Sequence, residues 1–170
     1  DKNAKISIGG GSATLLIAGT KESSPGLKGI FFTNFKNLYK VDKPWGHELW
    51  INGEHQCYAF KQIFIKSGTK TSLQYHNYKQ ETNVLFSGVA KLHFKKSPNI
   101  SNDNVEAEDV DSFQLYPVSS IDVVPHTLHR IEAINDILLY EISTPHLDDV
   151  IRVSDDAKRP SGRILQEHSK

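Results

Sequence analysis

Three side chains of the kinds that ligate metals, His76, Glu81 and His129, stand in strand-like surroundings in two well-separated stretches of the chain. The first stretch reads Ser72-Leu73-Gln74-Tyr75-His76, with Glu81 and Gly88 after it, and the second reads Pro125-His126-Thr127-Leu128-His129-Arg130. Side chains alternate faces along a strand, so Ser72, Gln74 and His76 share one face while Leu73 and Tyr75 share the other. Three polar groups turned into a barrel interior are costly unless something satisfies them, and a bound cation with its water does so. A short turn at Asn77 to Gln80 carries Glu81 back toward the same cavity. Ser87-Gly88 then reads as the hairpin turn that ends this strand.

The spacing of His76, Glu81 and Gly88, answered by Pro125 and His129, resembles the two-part cupin signature, in which two motifs of a small β-barrel jointly hold one metal. Tyr78 stands where the usual pattern has a second His, and Thr127 where a Gly often stands. The segment Ser72-Leu73-Gln74-Tyr75-His76 is similar to one in mannose-6-phosphate isomerases, where a Gln, two His and a Glu bind zinc. That resemblance implies Gln74, His76, Glu81 and His129 as the ligands of one divalent ion, zinc first, with manganese, iron or nickel as alternatives. Lys79-Gln80-Glu81 resembles the Lys-x-Glu of the type I enzymes. Lys43-Pro44-Trp45-Gly46, Tyr58-Ala59-Phe60-Lys61, Ser143-Thr144-Pro145, and Asp148 to Val153 with Asp155-Asp156 resemble the single cupin domain of the type II enzymes, over roughly residues 43–157.

The resemblance implies an all-β fold, a cupin-type double-stranded β-helix or jelly-roll barrel over residues 41–157. An N-terminal β extension over 1–40 and a polar tail over 158–170 flank it. The implied activity is aldose–ketose isomerisation of a sugar phosphate of the mannose 6-phosphate/fructose 6-phosphate type, with a nucleotide sugar as another possible ligand. A metal with open positions polarises a sugar carbonyl and eases proton movement between adjacent carbons. Lys79, Lys61 and Glu141 are the candidates for proton handling. Ser72 and Arg130 are the candidates for gripping hydroxyls or phosphate, although Arg130 has the opposite strand parity to His129. Two other classes fit the same residues. Two His and one carboxylate also describe non-haem iron oxygenases, and a noncatalytic module binding a sugar or nucleotide sugar needs no chemistry at all.

Other residues carry plainer expectations. His47, His55, His93, His126, His146 and His168 read as ordinary hydrogen-bonded or surface histidines, and Trp45 and Trp50 as packing at the barrel mouth. Lys61 shares a face with Ile63 and Ile65, so its ammonium either meets an anion inside or reaches solvent at the strand end.

The chain has 170 residues, and its 20 basic side chains balance 20 acidic ones, leaving no basic field to hold nucleic acid or anionic lipid. The lone Cys57 rules out an intramolecular disulfide framework. No apolar run approaches the roughly 20 residues that span a bilayer, and no signal-peptide pattern opens the sequence, so a cytoplasmic location is the expectation. Short apolar runs broken by turns favour strands at 48–51, 58–66, 71–76, 82–86, 89–94, 112–116, 121–124, 128–133 and 137–143. Residues 95–109 read as an exposed loop, and everything after Pro145 as a short helix or coil with a polar tail. An N-terminal hairpin is expected to pair Ala13–Ala18 with Gly29–Phe32. Its apolar Leu15-Leu16-Ile17 and Ile30-Phe31-Phe32 favour a homodimer formed by β-sheet association.

Overall fold

The strands form where side chains alternate between buried and half-buried. In β3 (Ala59–Ile65) and β10 (Ile137–Ser143) every second residue is buried, the pattern of a sheet with one face on a core. The computed structural model describes residues 9–10, 35–52, 56–96 and 110–164. The remaining strands are β1 (Tyr39–Lys43), β2 (Gly46–Asn52), β4 (Leu73–Tyr75), β5 (Glu81–Ser87), β6 (Ala90–Lys96), β7 (Asp111–Leu115), β8 (Ser120–Val123), β9 (Thr127–Ala133), β11 (Ile151–Ser154) and β12 (Gly162–Arg163). They make two six-stranded antiparallel sheets, ordered β1-β2-β3-β10-β5-β8 and β12-β11-β4-β9-β6-β7, the jelly-roll barrel that the motifs imply. Among the described residues the only helix is a 3₁₀ turn at Phe35–Asn37, and no helix is long and apolar enough to cross a membrane. The expected N-terminal hairpin, His55, His168 and the acidic segment 97–109 lie outside the described residues.

Two glycines fix the ends of strands. Gly46, which closes the Lys-Pro-Trp-Gly motif, lies so near the Phe64 backbone that a Cβ would collide with its carbonyl oxygen. Gly88 has φ +86°, and a Cβ there would strike the Asp136 carbonyl, so the β5–β6 turn needs glycine on both counts.

The segment after Pro145 corrects the sequence-based expectation of helix or coil. Ile151 and Arg152 pair with Tyr75 and Gln74 of β4, and β12 pairs in turn with β11. Four residues carrying two buried and two half-buried side chains give too short a pattern to declare a strand. The cause is tertiary: β4 needs a partner on the side away from β9. β1 was also unforeseen, because its Tyr-Lys-Val-Asp-Lys is mostly exposed and offers no apolar stripe.

The interior divides along each strand. Ile63, Ile65, Leu85, Ile131, Ala133, Ile137 and Leu139 join Trp45 and Leu92 in the main apolar core. Further along the same inward faces stand Lys61, Glu81, Asn83, His129 and Glu141, all buried. The register aligns them, with Leu139 opposite Ile63 and Leu85, then Glu141 opposite Lys61 and Asn83, then Ser143 opposite Glu81.

Candidate metal centre

His76 follows β4 directly and is fully buried. Its Nδ1 lies 2.5 Å from the Asp149 carbonyl oxygen, and a carbonyl can only accept, so Nδ1 carries the proton. His129, on β9, repeats the arrangement with Nδ1 at 2.9 Å from the Thr127 carbonyl. In the neutral form each ring then presents an Nε2 lone pair, and both Nε2 atoms face Glu81. The separations are 3.5 Å from His76 Nε2 to Glu81 Oε2 and 3.2 Å from His129 Nε2 to Glu81 Oε1. His76 Nε2 has no hydrogen-bond partner despite its burial.

Two imidazole lone pairs aimed at a carboxylate repel it unless a cation lies between them. The three ligand atoms fall within 4.8 Å of one another, and this donor set suits a divalent transition ion. Ligands about 2.1 Å from one such ion stand roughly 3.0–3.4 Å apart, close to the separations here. The fit rests on that orphaned nitrogen and on two tautomers set by backbone carbonyls, the usual way of orienting a ligating histidine.

Local folding explains the convergence. Gln74 and His129 are direct partners across β4 and β9, so their side chains leave the sheet on one face. The His126 N–H donates to the His76 carbonyl at 2.8 Å, tying the Pro125-His126 turn to the end of β4. His126 has φ +62°, which lets this turn close without the glycine common at the next position. Asp149 pins the other side. Its Oδ2 accepts from the Tyr78 and Lys79 backbone N–H groups at 2.5 and 2.9 Å, holding the turn between His76 and Glu81. Burial would raise the Asp149 carboxyl, but the N–H groups of Lys79, Tyr78 and Asn77 outweigh it and hold the group below the usual range.

Beside Glu81 a ladder of buried charges crosses the first sheet. Lys79 Nζ lies 2.5 Å from Glu81 Oε2 and 2.8 Å from Glu141 Oε1, and Lys61 Nζ lies 3.6 Å from Glu141 and 3.5 Å from Glu48. The Trp50 indole donates to Glu48 at 3.2 Å, and the Lys61 ammonium sits 4.8 Å from the centre of that ring. Burial opposes the charge on Lys79, yet Glu141 and Glu81 outweigh it and hold the ammonium above its ordinary range. Glu81 shows the mirror image. Its burial penalty is opposed first of all by the Lys79 ammonium, and the group is held well below the usual carboxylate range. Glu141 is also lowered, with Lys61 and Lys79 outweighing burial and the repulsion of Glu81.

Most of the residues singled out from sequence share one open cavity. Ser72, Gln74, Lys61, Lys79, Glu81, His129 and Glu141 line about 610 Å³ of atom-free space, counting the open mouth, and His76 adjoins it through Glu81. Ser72 Oγ donates to Gln74 Oε1 at 2.8 Å. Arg130 does not join them. Its Nε and Nη2 donate to the Thr71 carbonyl at 3.1 and 2.9 Å, and Nη2 also meets Asp156 at 2.8 Å, as its opposite parity requires. Tyr78 is 70% exposed and stacks loosely on His146, so the position where a second histidine is usual points to the surface here. His93 pairs with Glu132 and His47 packs on Phe64, both away from the centre.

Sequence reasoning passed over Glu48, Asn83, Asp149 and Arg159. Asn83 Nδ2 donates to Glu81 Oε1 at 3.1 Å, and its two-residue spacing from Glu81 was the available signal. Glu48 shares its face with Trp50 on β2, while Arg159 lies in a turn that no periodicity marks.

A jelly-roll barrel with two histidines and a glutamate converging inside it defines the cupin class. More narrowly, the profile of the family described as "Mannose-6-phosphate isomerase C-terminal" matches residues 33–155, and the chain belongs to that family. No curated protein matches it. Solved structures with similar folds include the capsular polysaccharide assembling protein CapF of Staphylococcus aureus, at 15% identity and TM-score 0.56, over 69% of this chain and 32% of that one. KdgF from Halomonas sp. aligns at 16% identity and TM-score 0.54, over 71% of this chain and 98% of that one. The oxalate decarboxylase of Bacillus subtilis, a protein with Mn(II) centres, aligns at 14% identity and TM-score 0.53, over 67% of this chain and 29% of that one. The chain thus spans about a third of the length of CapF and of the decarboxylase.

Proposed function

We propose that this barrel is a metal-dependent isomerase of a sugar phosphate, of the mannose 6-phosphate/fructose 6-phosphate type. The observation that carries the reading is the pair of imidazole Nε2 atoms meeting Glu81 beside a buried ladder of ammonium and carboxylate groups. His76, Glu81 and His129 hold the ion and the Gln74 amide oxygen is the fourth ligand; zinc is the first choice, with manganese, iron or nickel as alternatives. When bound, the ion polarises the sugar carbonyl. Lys79 and Lys61, charged and desolvated, donate to the oxygen that becomes negative as the enediol forms. Glu141 takes the proton from one carbon and returns it to the next, so the step is balanced without a co-reactant. Ser72 donates to a sugar hydroxyl.

A second reading is a noncatalytic module that binds a sugar or nucleotide sugar. It is favoured by the opposite displacements of Lys79 and Glu141, which place neither group near neutrality as a proton carrier is best placed. A non-haem iron oxygenase would use the same two histidines and glutamate. The metal-loaded chain is expected to interconvert mannose 6-phosphate and fructose 6-phosphate, to lose that activity to a chelator, and to place deuterium from heavy water beside the carbonyl. Sugar-phosphate binding without turnover would select the module, and oxygen consumption with bound iron the oxygenase.

We further propose a homodimer. On the outer face of the first sheet Tyr140 packs against Phe60 and Phe86, and Phe86 is 44% exposed, giving a second copy an aromatic patch to cover. A monomeric mass at micromolar concentration would overturn this.

A further inference from the structure

The turn at 155–159 brings a guanidinium to the cavity wall. Arg159 lines the cavity beside Val150, and its side chain is 21% exposed, neither buried nor loose in solvent. Its Nε and Nη2 both donate to Asp155 Oδ2, at 3.0 and 2.5 Å. Asp155 is itself fixed: its side chain is 3% exposed, its Oδ1 accepts from the Ala157 N–H at 2.8 Å, and Arg152 Nε lies 3.8 Å from Oδ2. Lys158 adopts φ +59° to close the turn, with its N–H on the Asp155 carbonyl at 3.0 Å. A carboxylate held by its own turn thus sets the direction of a guanidinium, the pre-organisation that makes arginine an efficient binder of planar or tetrahedral anions.

Charge gives this arrangement its meaning. The cavity wall holds three carboxylates, Glu48, Glu81 and Glu141, and three cations, Lys61, Lys79 and Arg159. Lys61 and Lys79 each lie between two buried carboxylates, and Arg159 meets Asp155 through Nε and Nη2. A divalent ion at His76, Glu81 and His129 therefore leaves the cavity net positive, even with Asp155 behind Arg159 counted. A cavity of that sign, whose most exposed cation is Arg159, suits a ligand whose anionic group stays near solvent while its neutral part reaches the metal.

We infer that Arg159, aimed by Asp155, is the residue that receives the phosphate of a phosphorylated ligand at the mouth of this barrel. The inference rests on the sugar-phosphate reading for the ligand's remainder and replaces Arg130 in that role. It also assigns a task to the segment after Pro145. By pairing with β4, β11 anchors the turn over the cavity that β4 helps to line.

Calorimetric titration of the metal-loaded chain with inorganic phosphate, mannose 6-phosphate and mannose tests the inference, comparing wild type with Arg159→Gln and Arg159→Lys. The expected result for Arg159→Gln is about tenfold or greater weakening for both phosphorylated probes, with mannose and metal content unchanged, since one charge-assisted contact is lost. Arg159→Lys, which keeps the charge without the fork, should fall between. If Arg159→Gln binds mannose 6-phosphate as wild type does, or weakens mannose equally, the inference is overturned. Wild type that binds none of the anions overturns it too. Phosphate binding that depends on Arg159 in a protein without isomerase turnover would uphold the clamp while removing the isomerase. Turnover of mannose 6-phosphate that ignores Arg159 would do the reverse.

Discussion

Along β3, β5, β9 and β10 the inward residues change character partway, from Ile65, Leu85, Ile131 and Leu139 at one end of the interior to Lys61, Glu81, His129 and Glu141 at the other. Both halves obey the same two-residue alternation and are equally hidden from water, yet they are held by different forces. In the apolar half, stabilisation scales with the area removed from water, about 25 cal/mol per Å². In the polar half each charge carries a desolvation cost that only a partner offsets, which is why Glu48, Lys61, Glu141, Lys79 and Glu81 form an unbroken alternation of sign. Burial by itself therefore does not identify a core. An inward strand position is structural where its neighbours are apolar, and a candidate for function where its neighbours are charges that need one another.

Substitutions that unbalance the two halves should separate them. Lys79→Met strands Glu81 and Glu141 without their shared ammonium, and the metal-free protein should lose about 3–5 kcal/mol in urea unfolding. Added divalent metal should restore much of that loss, because the ion supplies positive charge to Glu81 and binds only the folded state. Leu139→Ala should cost a comparable about 2–5 kcal/mol through its cavity, with a deficit that metal does not change. Equal rescue of both variants by metal would break the distinction.

A smaller effect is expected at the pinned turn. The Asp149 carboxyl lies below its ordinary range in the folded protein, so its stabilisation is present above the unfolded value and is lost as pH falls through the folded one. Asp149→Asn should therefore lower stability near neutrality and flatten its decline with acid, measured as urea midpoints from neutral pH down to the unfolding limb. A variant that keeps the full acid dependence would remove Asp149 from this role. The smallest effect is expected at Arg130, where Arg130→Gln should cost about 1–2 kcal/mol through its contacts to Thr71 and Asp156. Metal content and sugar-phosphate affinity should be unchanged.

The barrel and most of the centre were legible because their signals are local. Short apolar runs gave nine of the strands, parity put Ser72, Gln74 and His76 on one face, and the turn after His76 returned Glu81 toward the same cavity. The inward direction of Lys61 followed from Ile63 and Ile65, and burial at the Glu48–Glu141 pair settles the choice left open between an internal anion and solvent. What escaped depends on contacts distant in sequence. β11 is a strand because β4 needs a partner, Asp149 matters because its carboxylate meets a turn seventy residues before it, and Arg159 reaches the cavity because Asp155 directs it there. Arg130 was misdirected by its position next to His129, although parity had already set its side chain on the other face.

The convergence of His76, Glu81 and His129 on one ion is tested most directly by measuring metal in protein purified without added metal, for wild type and for the double variant His76→Ala/His129→Ala. The expected result is one divalent ion per wild-type chain and almost none in the variant, with the β-sheet signal of both intact because neither histidine belongs to the main apolar core. Full occupancy in the folded double variant would contradict the assignment.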